Sequence, residues 1–222
     1  MDNTRRAKPL ERAVSAIESR GILLVYPIQN RPEPPSLWSV LHPRTHMRWE
    51  WDESGDDRVA RLWHLRQELS SSSLVVYTKW FRNRATFFSK EAFVCALSAL
   101  KSPFLGARAL SPAAQSIDTL LRESSPLSVK EIKSQTGLRG RLLESTYEKA
   151  MKELWARLWI VGYGEVDDGA FPSLAVGSSP LLFEDLWETA GRRDPAESIE
   201  WLKCKTGADS LFFRQVLKSA KA

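Results

Sequence analysis

Three cations stand within six residues of YTKWFRNRAT, where Lys79, Arg82 and Arg84 surround Trp80 and Phe81. Ammonium and guanidinium groups neutralise phosphates, and an aromatic ring beside them can stack on a base or wedge between base pairs. The competing reading buries Trp80 and Phe81 and leaves the cations as solvated charge. A second basic set lies in RGRLLESTYEKAMKEL. At helical spacing Arg141, Ser145, Lys149 and Lys152 share one face, with Arg139 just before it. Such side chains can meet phosphates or base edges in the major groove. Glu148 lies on the same face and repels phosphate, so a mixed-charge solvated surface and a protein interface are the alternatives. Asp167 and Asp168 in EVDDGAF also oppose phosphate. Asp-Gly is hairpin-turn chemistry, and an acidic tip offers a contact to a protein partner.

Motifs for other chemistry are absent. The sequence holds no Gly-x-x-x-x-Gly-Lys-Ser/Thr loop, Gly-x-Gly-x-x-Gly fingerprint, His-Glu-x-x-His pair or Gly-x-Ser-x-Gly elbow. Breaking an N-glycosidic bond would need an Asp, Glu or Gln beside a flipped nucleotide, orienting water or stabilising positive charge. Gln29, Glu50 and Asp52 are the candidates for that role. His42, His46 and His64 are the only histidines, and Pro43 separates the first two. Cys95 in FVCALSAL reads as a small buried hydrophobe, and Cys204 sits alone between two lysines. Neither a metal site, an organic cofactor nor a disulfide framework is expected, and a reducing compartment fits.

Periodicity supplies the elements that position these residues. A helix is expected from Pro9 to Arg20, then a buried run ILLVY, a proline-rich connector NRPEPPS and a short helix SLWSVL. Another helix runs from Asp57 to Leu69. The basic stretch reads as a hairpin with its tip at Trp80 to Arg84, and a helix follows from Lys90 to Leu100. SPFLGARALSP marks a boundary. After it come a helix in AAQSIDTLLRES and a short helix opened by the Ser128-x-x-Glu131 capping box. Next is a helix from about Gly140 to Leu158, whose apolar stripe includes Leu143, Tyr147, Ala150, Met151, Leu154 and Leu158. WIVGYGEV and AFPSLAV form a last hairpin, and two helices are expected after Ala190, the first opened by Asp194-Pro195. Trp155 and Trp159 can cover the junction with the first unit.

The fold class this implies is a helix-rich α+β protein with a winged helix-turn-helix and a C-terminal helical tail. Residues 1–110 form an N-terminal helical unit with the basic hairpin, which can be read as a degenerate winged helix in tandem with the next. Residues 111–190 form the winged helix and 191–222 the tail. No internal sequence repeat is convincing.

At 43% hydrophobic and 27% charged residues, the 222-residue chain has the composition of a globular protein. No run of 18 apolar residues or signal-peptide pattern occurs, so a cytoplasmic protein without membrane contact is expected. The net charge of +5 is uneven. Residues 1–110 carry 17 basic and 11 acidic side chains, residues 111–190 carry 8 and 12, and the last 32 residues carry 7 and 4. The positive charge thus lies mainly outside the helix-turn-helix.

The chain resembles the small proteins related to the AlkZ-like, YcaQ-type winged-helix DNA glycosylases. The resemblance runs through PPSLWSVL, WEWDESGDDRVARLWHLRQEL and VVYTKWFRNRATFFSKEAF. It continues in PLSVKEIKSQTGL and STYEKAMKELWARLWIVGYGEVDDGAFPSLAV, and so covers most of the length. It implies tandem winged helices that hold DNA, and removal of alkylated or crosslinked bases without metal or organic cofactor. The family's catalytic pattern is Gln-x-Gln or Gln-x-Arg. Here PIQNRP, with Gln29, Asn30 and Arg31, lacks the second glutamine of Gln-x-Gln and keeps the spacing of Gln-x-Arg, but it stands in a proline-rich connector and not on an evident helix. Lys79, Arg82 and Arg84 match the Tyr-x-Lys, Arg-x-Arg pattern of the small relatives. The expectation is therefore a protein that binds DNA, damaged or intact, with catalysis absent. A glycosylase for alkylated or crosslinked bases and a winged-helix protein-interaction module are the alternatives.

Overall fold

Gly21 stops α1 (Asn3–Arg20): at φ +77° it turns the chain, and its N–H donates to the Ile17 carbonyl at 2.7 Å. The three buried residues of β1 (Ile22–Leu24) follow at once. The structure, a computed structural model, describes residues 3–49, 56–100, 109–167 and 172–220, with side chains from Pro9 to Ser219. Ser36 caps α2 (Leu37–Leu41), its Oγ accepting from the Ser39 N–H. Next come α3 (Arg58–Ser71), β2 (Val76–Phe81), β3 (Arg84–Phe88) and α4 (Lys90–Leu100).

The second half repeats the opening order. Ser111 caps α5 (Pro112–Glu123), and β4 (Leu127–Ser128) leads into α6 (Val129–Gln135). The capping box is formed: Ser128 Oγ accepts from the Glu131 N–H at 3.1 Å, and the Glu131 carboxylate accepts from the Ser128 N–H at 2.8 Å. α7 (Glu144–Ala156), β5 (Ile160–Val166) and β6 (Ser173–Ser178) complete the series. Helix, strand, two helices and two strands thus occur twice, although no repeat is legible in the residues themselves.

All six strands form one antiparallel sheet in the order β1-β3-β2-β5-β6-β4. In each half the first strand pairs with the third, and the halves meet where β2 runs beside β5 with Tyr77 opposite Gly162. A Cβ on residue 162 would collide with the Tyr77 ring, so only glycine lets the two strands approach.

Alternate strand residues feed opposite faces of this sheet. Leu23, Tyr77 and Phe87 join Ile17, Leu37, Leu62 and Leu69 in a core beneath α1 to α3. Ile160 and Val176 join Ile117, Ile132 and Leu154 beneath α5 to α7. Their strand neighbours Ile22, Val76, Phe88 and Val161 face α4 and the C-terminal tail. The two helices expected after Ala190 are α10 (Pro195–Thr206) and α11 (Leu211–Ala220), and two that were not expected, α8 (Ser179–Leu182) and α9 (Glu184–Arg192), join them to β6. Asp194 caps α10, accepting from the Glu197 N–H at 2.9 Å. α9, α10 and α11 pack on α4 and α8 on β6.

Two local expectations are corrected. α7 begins at Glu144, not Gly140, because Gly140 holds φ +97° and the Leu143 N–H closes a turn onto its carbonyl at 3.0 Å. Arg141 therefore belongs to the turn and not to the helix face, and Leu143 is 38% exposed, outside the apolar stripe. Trp80 is 2% exposed, since its side of β2 is covered by α4 and the tail. Among the described residues no helix is long and apolar enough to cross a membrane.

Candidate nucleic-acid interface

Arg82 and Asn83 form the two-residue turn between β2 and β3, with φ +51° and +59°. Two positive φ values match the right-handed twist of the strands, which is why the turn is tight and its flanks project. Arg82 and Arg84 are exposed, and the Arg82 guanidinium carbon sits 5.2 Å from the Phe81 ring centroid. The aromatics point inward. Trp80 packs edge-on to Phe88 at 5.3 Å and Phe81 to Phe212 at 5.1 Å. A ring held in this way cannot stack on a base, so Trp80 is removed from the candidate contacts.

On α7, Ser145, Lys149 and Lys152 are exposed as the helical spacing requires, and Lys152 reaches Glu148 at 3.9 Å. Before the helix comes a turn-rich segment braced at both ends. Lys133 of α6 contacts the Glu144 carboxylate at 2.7 Å and lies 4.6 Å from the Tyr147 ring centroid. Between these anchors Gly137 and Gly140 hold φ +70° and +97°, and Arg139, Arg141 and Leu142 are all exposed.

The hairpin and the helix come together because α7 packs on β2. Lys79 and Asn83 from the hairpin, Lys133 from α6, and Glu144, Glu148 and Lys152 from α7 line one cleft of about 240 Å³. Tyr147, Met151 and Trp155 form its apolar floor. Burial, with the Arg66 guanidinium adding to it, pulls the Lys79 ammonium below its ordinary range. Among the described residues Lys79 has no ion-pair partner. Sequence reasoning misses Lys133, Asn83 and Glu144, whose placement depends on how α6 and α7 meet β2. The basic last turn of a short capped helix is the only hint of Lys133.

The proposed catalytic residues do not gather there. Gln29 is exposed in a turn at φ +52° and does not line this cleft. Its neighbour Asn30 is occupied, donating to the Met47 carbonyl at 3.0 Å and accepting from the Met47 N–H at 2.7 Å. Arg31 lines a separate recess of about 260 Å³ with Trp38, His42 and Arg44. There burial, then Arg58 and Arg61, lowers the His42 pKa. Glu50, Asp52 and Asp168 lie outside the described residues, and Asp167 is exposed at the end of β5. Among the described residues no group of three or more His, Cys, Asp or Glu side chains could hold a metal ion.

The sequence profile described as AlkZ related matches residues 7–207. No curated protein and no solved structure matches the chain. A match over that span of 222 residues shows that the chain belongs to the AlkZ-related family, glycosylase-like proteins of DNA repair.

Proposed function

We propose that the protein is a tandem winged-helix DNA-binding protein that holds DNA, damaged or intact, without releasing a base. The repeated order of helix, strand, two helices and two strands supports the winged-helix reading of both halves. On this reading residues 1–110 and 111–190 are the two units and 191–222 the tail bound across them. The observation that carries DNA binding is the meeting of Lys79 from β2 and Lys152 from α7 in one cleft beside Arg82 and Arg84, with Lys133 paired to Glu144 in the same cleft. Glu148 pairs only loosely with Lys152, and exposed pairs are worth about 0–1 kcal/mol, so a phosphate can displace it. Ser145 and Lys149 extend the footprint along α7, and Arg139 and Arg141 extend it through the turn before that helix.

Absence of base release rests on the site. Gln29 and Arg31 keep the Gln-x-Arg spacing, but Gln29 stands in an exposed turn and Arg31 lines a different recess, so neither lines the cleft. A second reading, a glycosylase, draws on Glu144, a cleft carboxylate whose position Lys133 fixes. A carboxylate already neutralised by an ammonium has little charge left to stabilise a developing cation, so the first reading is preferred.

Changing Lys79, Arg82 and Arg84 to alanine should weaken duplex binding. The slope of log affinity against log salt should fall by about 0.9 for each phosphate that is no longer neutralised. Unchanged affinity across the titration would overturn the footprint. Wild-type protein should bind alkylated or crosslinked DNA and leave the bases attached, and base release would favour the glycosylase.

A further inference from the structure

The burial of Trp80 leaves the hairpin without an apolar wedge, but the turn before α7 has one. Leu142 is 93% exposed, and Leu143 beside it is 38% exposed. The Leu143 N–H closes a four-residue turn onto the Gly140 carbonyl at 3.0 Å, which places Arg141 and Leu142 at its two corners. Turn corners usually carry polar residues, and leucine there gains nothing from packing. The turn is held in place by the Lys133–Glu144 pair at its base. From Thr136 to Leu143 the sequence TGLRGRLL contains two arginines and no acid.

Resting on the DNA-binding reading, we infer that the turn is a wedge: Leu142 enters a base step of duplex DNA while Arg139 and Arg141 hold the flanking phosphates. The occupant follows from charge and size. Two positive side chains bracket one apolar tip, which suits a stack of bases about 3.4 Å apart between phosphate rows. Two adjacent leucines fall far short of the roughly 800 Å² per partner that a stable protein interface buries. The energetic consequence is selectivity. Inserting a side chain costs least where a step is already weakened, so the protein binds mismatched or lesion-bearing steps ahead of intact ones.

The experiment uses the full chain and duplexes carrying 2-aminopurine beside a mismatch, with matched duplexes as reference. Wild type should raise 2-aminopurine fluorescence by unstacking and prefer the mismatch. Leu142→Ala should lose that rise and reduce the preference on the order of tenfold, while matched-duplex affinity changes by less than about twofold. Leu142→Met should retain both. Leu142 has no packing partner to lose, so an unchanged melting temperature in Leu142→Ala separates the effect from misfolding. Equal fluorescence and equal preference in wild type and Leu142→Ala overturn the wedge and leave DNA binding standing. Failure of wild type to bind any duplex overturns both readings. Loss of self-association or of binding to anionic vesicles in Leu142→Ala, with DNA behaviour intact, assigns the turn elsewhere and overturns the wedge.

Discussion

Arg66 of α3 and Glu165 of β5 form an ion pair between residues 99 positions apart in the chain, with side chains only 8% and 4% exposed. The pair ties a helix of the first half to a strand of the second. The Arg66 guanidinium also lies 4.0 Å from the Trp63 ring centroid, and Ser70 of the same helix accepts from the Gly164 N–H at 3.2 Å. Removing one partner strands the other in a dry site. Arg66→Met should cost about 3–5 kcal/mol in denaturant unfolding. The double variant Arg66→Met, Glu165→Leu should recover much of it. A single variant within about 1 kcal/mol of wild type would show that water reaches the pair.

Trp80 provides a test of core against interface. Trp80→Phe should keep DNA affinity and most of the stability, because a smaller ring still meets Phe88. Trp80→Ala should lose about 3–5 kcal/mol by leaving a cavity beneath α4. A loss of DNA affinity in Trp80→Phe at unchanged stability would return the indole to the interface.

The two thiols should differ in reactivity. Cys95 is fully buried, and that burial raises its pKa from about 9 to about 11, with Arg193 opposing and Glu91 adding to the rise. Cys204 is exposed on α10. A thiol reagent at pH 8 should label one cysteine in the native chain and both in denaturant. The folded state holds the Cys95 proton more tightly than the unfolded chain does. Its contribution to stability is therefore complete below pH 9 and is lost as pH rises from 9 through about 11. Labelling of both thiols at native pH, or stability rising over that window, would contradict the assignment.

Features written in neighbouring residues are legible from the sequence. The Ser128-x-x-Glu131 box, the Asp194-Pro195 helix start and the hairpin around Arg82–Asn83 all form, because each is decided within a few residues. The start of α7 is not legible. The helical stripe can be extended back through Leu143, but Gly140 at φ +97° and the turn it opens win locally. Trp80 is equally hard to place, because β2 is covered on both faces and shows no alternation to mark which side meets solvent. The cleft and the Arg66–Glu165 pair depend on which element of one half meets the other. Periodicity defines the buried face of α3 or α7 and says nothing of its distant partner. In the wedge turn only the arginines stand out by residue type, since the meaning of Leu142 rests on its exposure.

The backbone junction at Tyr77 and Gly162 has a thermodynamic consequence. A sheet that runs through both halves gives neither an independent boundary: unpairing β2 from β5 would expose Tyr77 on one side and leave Glu165 without Arg66 on the other. Opening one half then destabilises its neighbour, so the six strands melt as one cooperative unit and not as two separable ones. Frayed or partly proteolysed forms should come from the outer helices of the tail, while the central strands exchange their amide hydrogens only when the whole molecule unfolds.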